Sequence, residues 1–139
     1  MNLPSVSDIM TRDPITVRPS QTLRAAIEAM REHHCRRLPV MDDGKLVGII
    51  SDRDVRLALN SPFIMRDRRE DRVLLDQVLV AECMTPGPVT LMPEQSVLEA
   101  ARLMHDRKFG GLPVVEKGRL VGIVTETDVL RCFIDLHSN

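Results

Sequence analysis

Aromatic residues are almost missing from this chain, which has three Phe, no Trp and no Tyr. Proteins that hold single-stranded nucleic acid without sequence preference stack bases on such rings, so their scarcity argues against that class. An excess of charge is missing too. Nineteen Lys and Arg stand against 20 Asp and Glu, a balance that gives no electrostatic reason to expect nucleic acid or an anionic membrane as partner. No apolar run approaches the roughly 18 residues of a membrane span, and "MNLPSVSDIM" lacks the basic and apolar regions of a signal peptide. The expectation is an intracellular, cytoplasmic protein. The three cysteines, Cys35, Cys83 and Cys132, form no CxxC motif and are odd in number, which speaks against a disulfide framework or a zinc site. The adjacent His33 and His34 would point in different directions on a helix, and His105 and His137 lack ligand spacing, so no metal site is expected. Nor is there a Ser-His-Asp order, an HExxH, a Walker loop or a cysteine-nucleophile signature, and the expectation is a protein that is not an enzyme.

What the chain does contain is one sentence written twice. "LVGIISDRDV" begins at Leu46 and "LVGIVTETDV" at Leu120. At the same offset, and without a gap, Val6 to Val55 overlies Val80 to Val129. Met10 falls on Met84, Pro14 on Pro88, Leu38 on Leu112, Gly44 on Gly118, Gly48 on Gly122 and Asp54 on Asp128. A tandem duplication follows: a first repeat over 1–60, a linker over 61–78 and a second repeat over 79–139. Each repeat alone is small enough that its buried fraction would be marginal, so the two are expected to share a core.

Each repeat reads as β-α-β-β-α, which sets the fold class as α/β (α+β). A short β-prone run ("ITV" after Pro14, "VTL" after Pro88) is closed by Pro19 or Pro93. Apolar residues at three- and four-residue spacing then mark a helix: Leu23, Ala26, Ile27 and Met30, and again Val97, Leu98, Ala101 and Met104. Thr22 and Ser96 stand at its N-cap position. "LPVM" and "LPVV" form a strand, "DDGK" and "EKGR" a turn with Gly at positive φ, "LVGII" and "LVGIV" a second strand, and a second helix begins at Ser51 or Thr125. "IMT" and "CMT" lead into each repeat, with Met10 and Met84 as core fillers. The linker holds four Arg and four acidic residues, and since like charges do not segregate it reads as solvated, with its "VLL" anchoring it to the core.

The chemistry concentrates at the end of the doubled sentence. Gly48 and Gly122, lacking a Cβ, let another group approach the strand. Ser51 and Thr125 fall at a strand-to-helix junction, where free amides and the helix dipole favour an anion. Asp54 and Asp128 offer paired acceptor oxygens suited to a ribose diol. The same Ser-x-x-Asp and Thr-x-x-Asp patterns also satisfy a capping box that merely starts a helix, although such boxes prefer the longer Glu or Gln. Both readings stand on residue chemistry alone. With so few aromatics, a purine would need aliphatic walls, for which Ile15, Val17, Leu38, Val89 and Leu112 are candidates, with backbone groups around Thr16 and Thr90. Each of these is also an ordinary core residue. Arg37 and Arg53, with Arg36, are candidate phosphate ligands that the second repeat replaces by Gly110, Gly111 and Thr127, so unequal sites are expected. Solvated arginines are the alternative.

These motifs, "IMT", "LPV" and "GKLVGIISDRDV" with their second copies "CMT", "LPV" and "GRLVGIVTETDV", resemble a tandem pair of CBS (cystathionine β-synthase) domains, a Bateman module. The resemblance implies two repeats packed sheet to sheet about a pseudo-twofold axis. It also implies clefts between them that bind adenosine compounds, and association of modules into a homodimer. By that resemblance Ser51 and Thr125 approach phosphate or ribose, Asp54 and Asp128 hold the ribose hydroxyls, and Thr16, Leu38, Pro39, Thr90, Leu112 and Pro113 lie around the adenine. The expected function is a sensor of AMP, ADP or ATP, with or without magnesium, that requires no cofactor and signals to a partner protein. The alternatives are a ligand-free dimerisation scaffold and a sensor of S-adenosylmethionine or NAD.

Overall fold

The computed structural model describes residues 3–59 and 68–138. Along the chain run α1 (Val6–Ile9), β1 (Thr11–Arg12), α2 (Leu23–Glu32), β2 (Arg37–Asp42), β3 (Lys45–Ser51), α3 (Asp52–Leu59), α4 (Arg68–Gln77), α5 (Val80–Cys83), β4 (Thr85–Pro86), α6 (Val97–Arg107), β5 (Gly111–Glu116), β6 (Arg119–Thr125) and α7 (Glu126–Leu136). The fold is mixed helix and strand, with three-stranded sheets ordered β2-β3-β4 and β1-β6-β5.

The hairpins follow from their turns. Asp43 and Gly44 have φ of 49° and 76°, and Lys117 and Gly118 have 52° and 78°. A two-residue hairpin needs that pair of positive φ values for its twist to match the strands, and glycine supplies the second without steric cost. Antiparallel pairing then runs from Asp42↔Lys45 to Arg37↔Ser51 and from Glu116↔Arg119 to Gly111↔Thr125, with a shift after Val40 and after Val114. The first long helices start as expected. Thr22 Oγ1 accepts from the Ala25 amide at 3.2 Å and Ser96 Oγ from the Glu99 amide at 3.1 Å.

The sequence repeats and the compact units are out of phase. One unit, here the central unit, is Ile15–Gly87; the other, the terminal unit, joins Met1–Pro14 to Pro88–Asn139. The leading segment of each repeat therefore completes the sheet of the other repeat. β1 pairs with β6 through Thr11↔Ile123 and Arg12↔Gly122, and β4 pairs with β3 through Ile49↔Thr85 and Gly48↔Pro86. The exchange is reciprocal in its hydrogen bonds. The Val6 amide donates to Gln95 O at 2.7 Å in the terminal unit, and the Val80 amide to Gln21 O at 2.8 Å in the central one. Val6 and Val80 are both fully buried, each in the core of the unit it joins.

The expected first strands at "ITV" and "VTL" are reduced to isolated parallel bridges, Val17↔Val40 and Leu91↔Val114. Val17 donates to Pro39 O at 3.1 Å and accepts from Met41 N at 2.8 Å. The chain turns away at once, with Gln21 Oε1 taking the Arg18 amide at 2.7 Å. Prolines bound the run on both sides and remove ladder donors, so β propensity there cannot extend into a strand.

Where a solvated linker is expected over 61–78, the described part includes a helix, α4, and residues 60–67 lie outside the described residues. Of the "VLL" triplet, Leu75 packs on the central core, joined by Val78. Arg24 on α2 grips Asp76 with two nitrogens, at 2.5 and 3.2 Å, and donates to Arg72 O at 3.3 Å. The guanidinium holds the Asp76 carboxyl below its usual 3.8. A depressed folded-state pKa gives stability that is fully present above the ordinary carboxylate value and is lost as pH falls through the lowered one. The expected result is that the protection factors of the α4 amides, corrected for the intrinsic pH dependence of exchange, are high at neutral pH and fall in acid. Arg24→Ala should lower these protection factors at neutral pH and remove their fall in acid. The pair is solvent-exposed, so global stability should change little.

Candidate functional site

Two strand-to-helix junctions carry the candidate chemistry, one in each unit. In the central unit β3 ends at Ser51 and α3 begins at Asp52. The Ser51 amide donates to Asp54 Oδ2 at 2.9 Å, and the Asp54 amide donates to Ser51 Oγ at 3.1 Å. In the terminal unit β6 ends at Thr125, the N-cap of α7. Its amide donates to Asp128 Oδ2 at 2.8 Å, and its hydroxyl lies 3.1 Å from that same oxygen. The capping alternative raised by the sequence is thus realised at both junctions, and the short Asp arm suffices for it.

Capping does not exhaust either carboxylate. Both boxes engage Oδ2 alone. Among the described residues Oδ1 of Asp54 accepts no hydrogen bond, and Oδ1 of Asp128 faces only Arg131 at 4.0 Å. Each Asp is fixed by its own cap, Asp54 half-buried and the Asp128 side chain only 11% exposed, which leaves an oriented acceptor beside an N-terminal helix turn. A ribose diol needs that donor-acceptor complement, and an anion gains from the same turn.

The remaining expected site residues divide by exposure. Thr16 and Thr90 are exposed beside the Val17 and Leu91 bridges. Ile15 is 38% exposed and Val89 half-buried, so both have side chain to offer. Val17, Leu38 and Leu112 are buried in the cores, and Pro39 and Pro113 are fully buried. These five can address a ligand through backbone only, and Pro39 O and Pro113 O already accept from Val17 N and Leu91 N. The aliphatic walls expected from Val17, Leu38 and Leu112 are core side chains, because β2 and β5 are buried over consecutive residues and these three belong to the clusters of their units.

Gly48 and Gly122 admit a protein group. A Cβ on Gly48 would lie 2.5 Å from Met84 Sδ and 3.0 Å from Thr85 O, and one on Gly122 would lie 2.5 Å from Met10 Sδ and 2.9 Å from Thr11 O. The close approach expected at these glycines is therefore made by the exchanged leading segment. Met10 and Met84, expected as core fillers, are half-buried, pack against the cores of their units and cover the bare glycine backbone.

The units differ in charge where the sequence does. Register sets Arg37 opposite Ser51 and Gly111 opposite Thr125. Arg37 is half-buried, while Arg36 and Arg53 are exposed. Among the described residues none of the three side chains forms an ion pair or hydrogen bond, whereas Arg56 lies 3.7 Å from Asp52. The cysteines are free. Burial raises the thiol pKa of Cys35, Cys83 and Cys132, which keeps them protonated. Among the described residues no three His, Cys, Asp or Glu side chains are grouped as metal ligands, and no helix is long and apolar enough to cross a membrane.

Comparison with known proteins agrees with this duplicated architecture. The sequence profile of the CBS domain matches twice, over residues 6–61 and 80–135. The chain is 40% identical over 131 residues to a CBS domain-containing protein of Dictyostelium discoideum, covering 93% of this chain and 90% of that one. Among solved structures, it resembles CBSX2 of Arabidopsis thaliana in complex with AMP, with TM-score 0.78 and 34% identity over 97% of this chain and 99% of that one. It also resembles the CBS domain pair of protein MJ0100 in complex with 5′-methylthioadenosine and S-adenosyl-L-methionine, with TM-score 0.83 and 30% identity over the same shares. The chain belongs to the CBS-domain family and carries the domain as a tandem pair.

Proposed function

We propose that the chain is a regulatory module, without catalysis of its own, that binds an adenine nucleotide at its strand-to-helix junctions and passes the change to a partner protein. The observation that carries this reading is the duplicated Asp whose Oδ2 caps a helix while its Oδ1 accepts no hydrogen bond among the described residues, at Asp54 and at Asp128, where Arg131 stands 4.0 Å from it. Support also comes from the relatives crystallised with AMP and with 5′-methylthioadenosine and S-adenosyl-L-methionine. Ligand affects signalling only if it binds one arrangement of the protein better than another.

Thermal unfolding tests the reading. A ligand at a hundred times its Kd adds about 2.7 kcal/mol to the folded state by mass action. AMP, ADP or ATP should raise Tm in a concentration-dependent way, and UMP, which has the same ribose-phosphate but another base, should not. Equal shifts with AMP and UMP would reject adenine recognition, and no shift with any of them would favour a ligand-free scaffold.

The reading includes association of two copies. Leu130, Phe133 and Ile134 recur at three- and four-residue spacing on α7 and are 62%, 62% and 61% exposed. A stripe of that kind on a folded surface suits burial against another protein. Sedimentation should give a dimer that Phe133→Glu shifts to monomer; a monomer at all concentrations would remove this part of the proposal.

A further inference from the structure

We propose that the two junctions select ligands of different charge. The Ser51 junction takes an adenosine bearing a 5′ phosphate, and the Thr125 junction an adenosine whose 5′ substituent is neutral or cationic, such as a thioether or a sulfonium. This rests on the adenosine reading given above.

The comparison is internal, because the junctions share most of their machinery. Each has a helix start, a hydroxyl residue and an Asp whose Oδ2 takes the cap amide. The dipole of the helix favours an anion in both, so it cannot distinguish them. The side chains around that common frame do. Antiparallel register places Arg37 directly across from Ser51, and residues so paired carry their side chains on one face with Cβ atoms about 4.5–5.5 Å apart. Arg53 stands in the first turn of α3. Arg36 immediately precedes β2, and its carbonyl accepts the Asp52 amide at 2.8 Å, which ties that backbone to the helix start. Arg56 faces Asp52, so three arginines remain without a counter-charge among the described residues. A guanidinium is the side chain best matched to phosphate oxygens.

At the Thr125 junction every one of these cations is replaced. Gly110 and Gly111 stand for Arg36 and Arg37, Thr127 for Arg53 and Leu130 for Arg56. Two carboxylates remain, Glu126 and Asp128, and the nearby Arg131 lies 4.0 Å from Asp128. A phosphate placed there meets the like charge of two carboxylates, with Arg131 beside one of them; a sulfonium gains from those carboxylates against the helix dipole, and a neutral thioether meets neither effect. The Asp that serves the ribose is common to both sites, so the discrimination falls on the 5′ end of the ligand.

Calorimetry with AMP and with 5′-methylthioadenosine tests this on the full chain and five variants. Asp54→Asn and Asp128→Asn keep an acceptor for the cap amide while removing the carboxylate, so folding is preserved. AMP binding should weaken in Asp54→Asn and persist in Asp128→Asn, with the opposite pattern for 5′-methylthioadenosine. Arg37→Ala or Arg53→Ala should weaken AMP at least about ten-fold, the scale of one charge-assisted hydrogen bond, and leave 5′-methylthioadenosine unchanged. Thr127→Arg, at an exposed position, should give the Thr125 junction measurable AMP binding. AMP affinity indifferent to both arginines, or both ligands lost to the same Asp variant, would overturn charge selection and leave adenosine binding intact. No heat with either ligand from folded protein would instead reject the adenosine reading, and this inference with it.

Discussion

Leu38→Ala is expected to cost the protein about 2–5 kcal/mol, the range for emptying a buried leucine site that relaxes only in part. Leu38 is fully buried on β2, in a cluster with Val17, Leu23, Ala26, Met30, Val40, Ile50, Val55 and Val80. Its backbone stays paired to Ile50 in the variant, so the change isolates side-chain packing. Domains have about 5–15 kcal/mol of stability in all, and a loss of this size would leave the central unit near its unfolding threshold. Urea unfolding should show a lower midpoint at an unchanged slope. Leu57→Ala, at a position 63% exposed, is the control and should change little. A Leu38→Ala loss below about 1 kcal/mol would mean that Leu38 faces space able to collapse, contrary to the packed core described.

Gly48→Val is expected to destabilise by about 1–3 kcal/mol through overpacking. The first atom added already lies 2.5 Å from Met84 Sδ and 3.0 Å from Thr85 O. Met84 is flexible and can swing aside. Thr85 O cannot, because it belongs to β4, which is paired to the same strand. Val adds two further carbons in that space, so Gly48→Ala should cost less than Gly48→Val. A double-mutant cycle with Met84→Ala measures the contact. Met84→Ala should recover part of the Gly48→Ala loss, with a coupling of about 0.5–3 kcal/mol as for residues in direct contact. Strict additivity of the two changes would contradict the packing of the exchanged segment on Gly48.

The local features of this fold were legible because their causes are local. The Asp43–Gly44 and Lys117–Gly118 turns, the Thr22 and Ser96 caps and the Leu23–Met30 periodicity each depend on residues within one turn or one helix. The exchange of leading segments was not legible. Val6 and Val80 carry equivalent local patterns, and nothing near either specifies which sheet will receive it; the choice depends on pairings such as Thr11↔Ile123. The short first strands failed for a different reason. Ile15–Val17 carries β propensity, but Pro14 and Pro19 leave too few amides for a ladder.

The candidate site was legible in its residues and less so in their duties. Ser51, Asp54, Thr125 and Asp128 do come together in pairs, yet only coordinates reveal that one carboxylate oxygen caps while the other is open. At Gly48 and Gly122 the missing Cβ admits protein groups, Met84 and Met10, which form a recurring pair in the sequence. The placement of Arg37 across from Ser51 needed the register of β2 on β3, which depends on the irregularity after Val40.

The proposed duty of the Asp54 and Asp128 carboxylates is to hold an adenosine ligand. Calorimetric titration of AMP into the intact chain, set beside the Asp54→Ala/Asp128→Ala double variant shown to be folded by circular dichroism, tests it most directly. Saturable heat from the intact chain, absent in the double variant, is the result expected. Undiminished binding by the folded double variant, or no saturable heat from the intact chain, would contradict it.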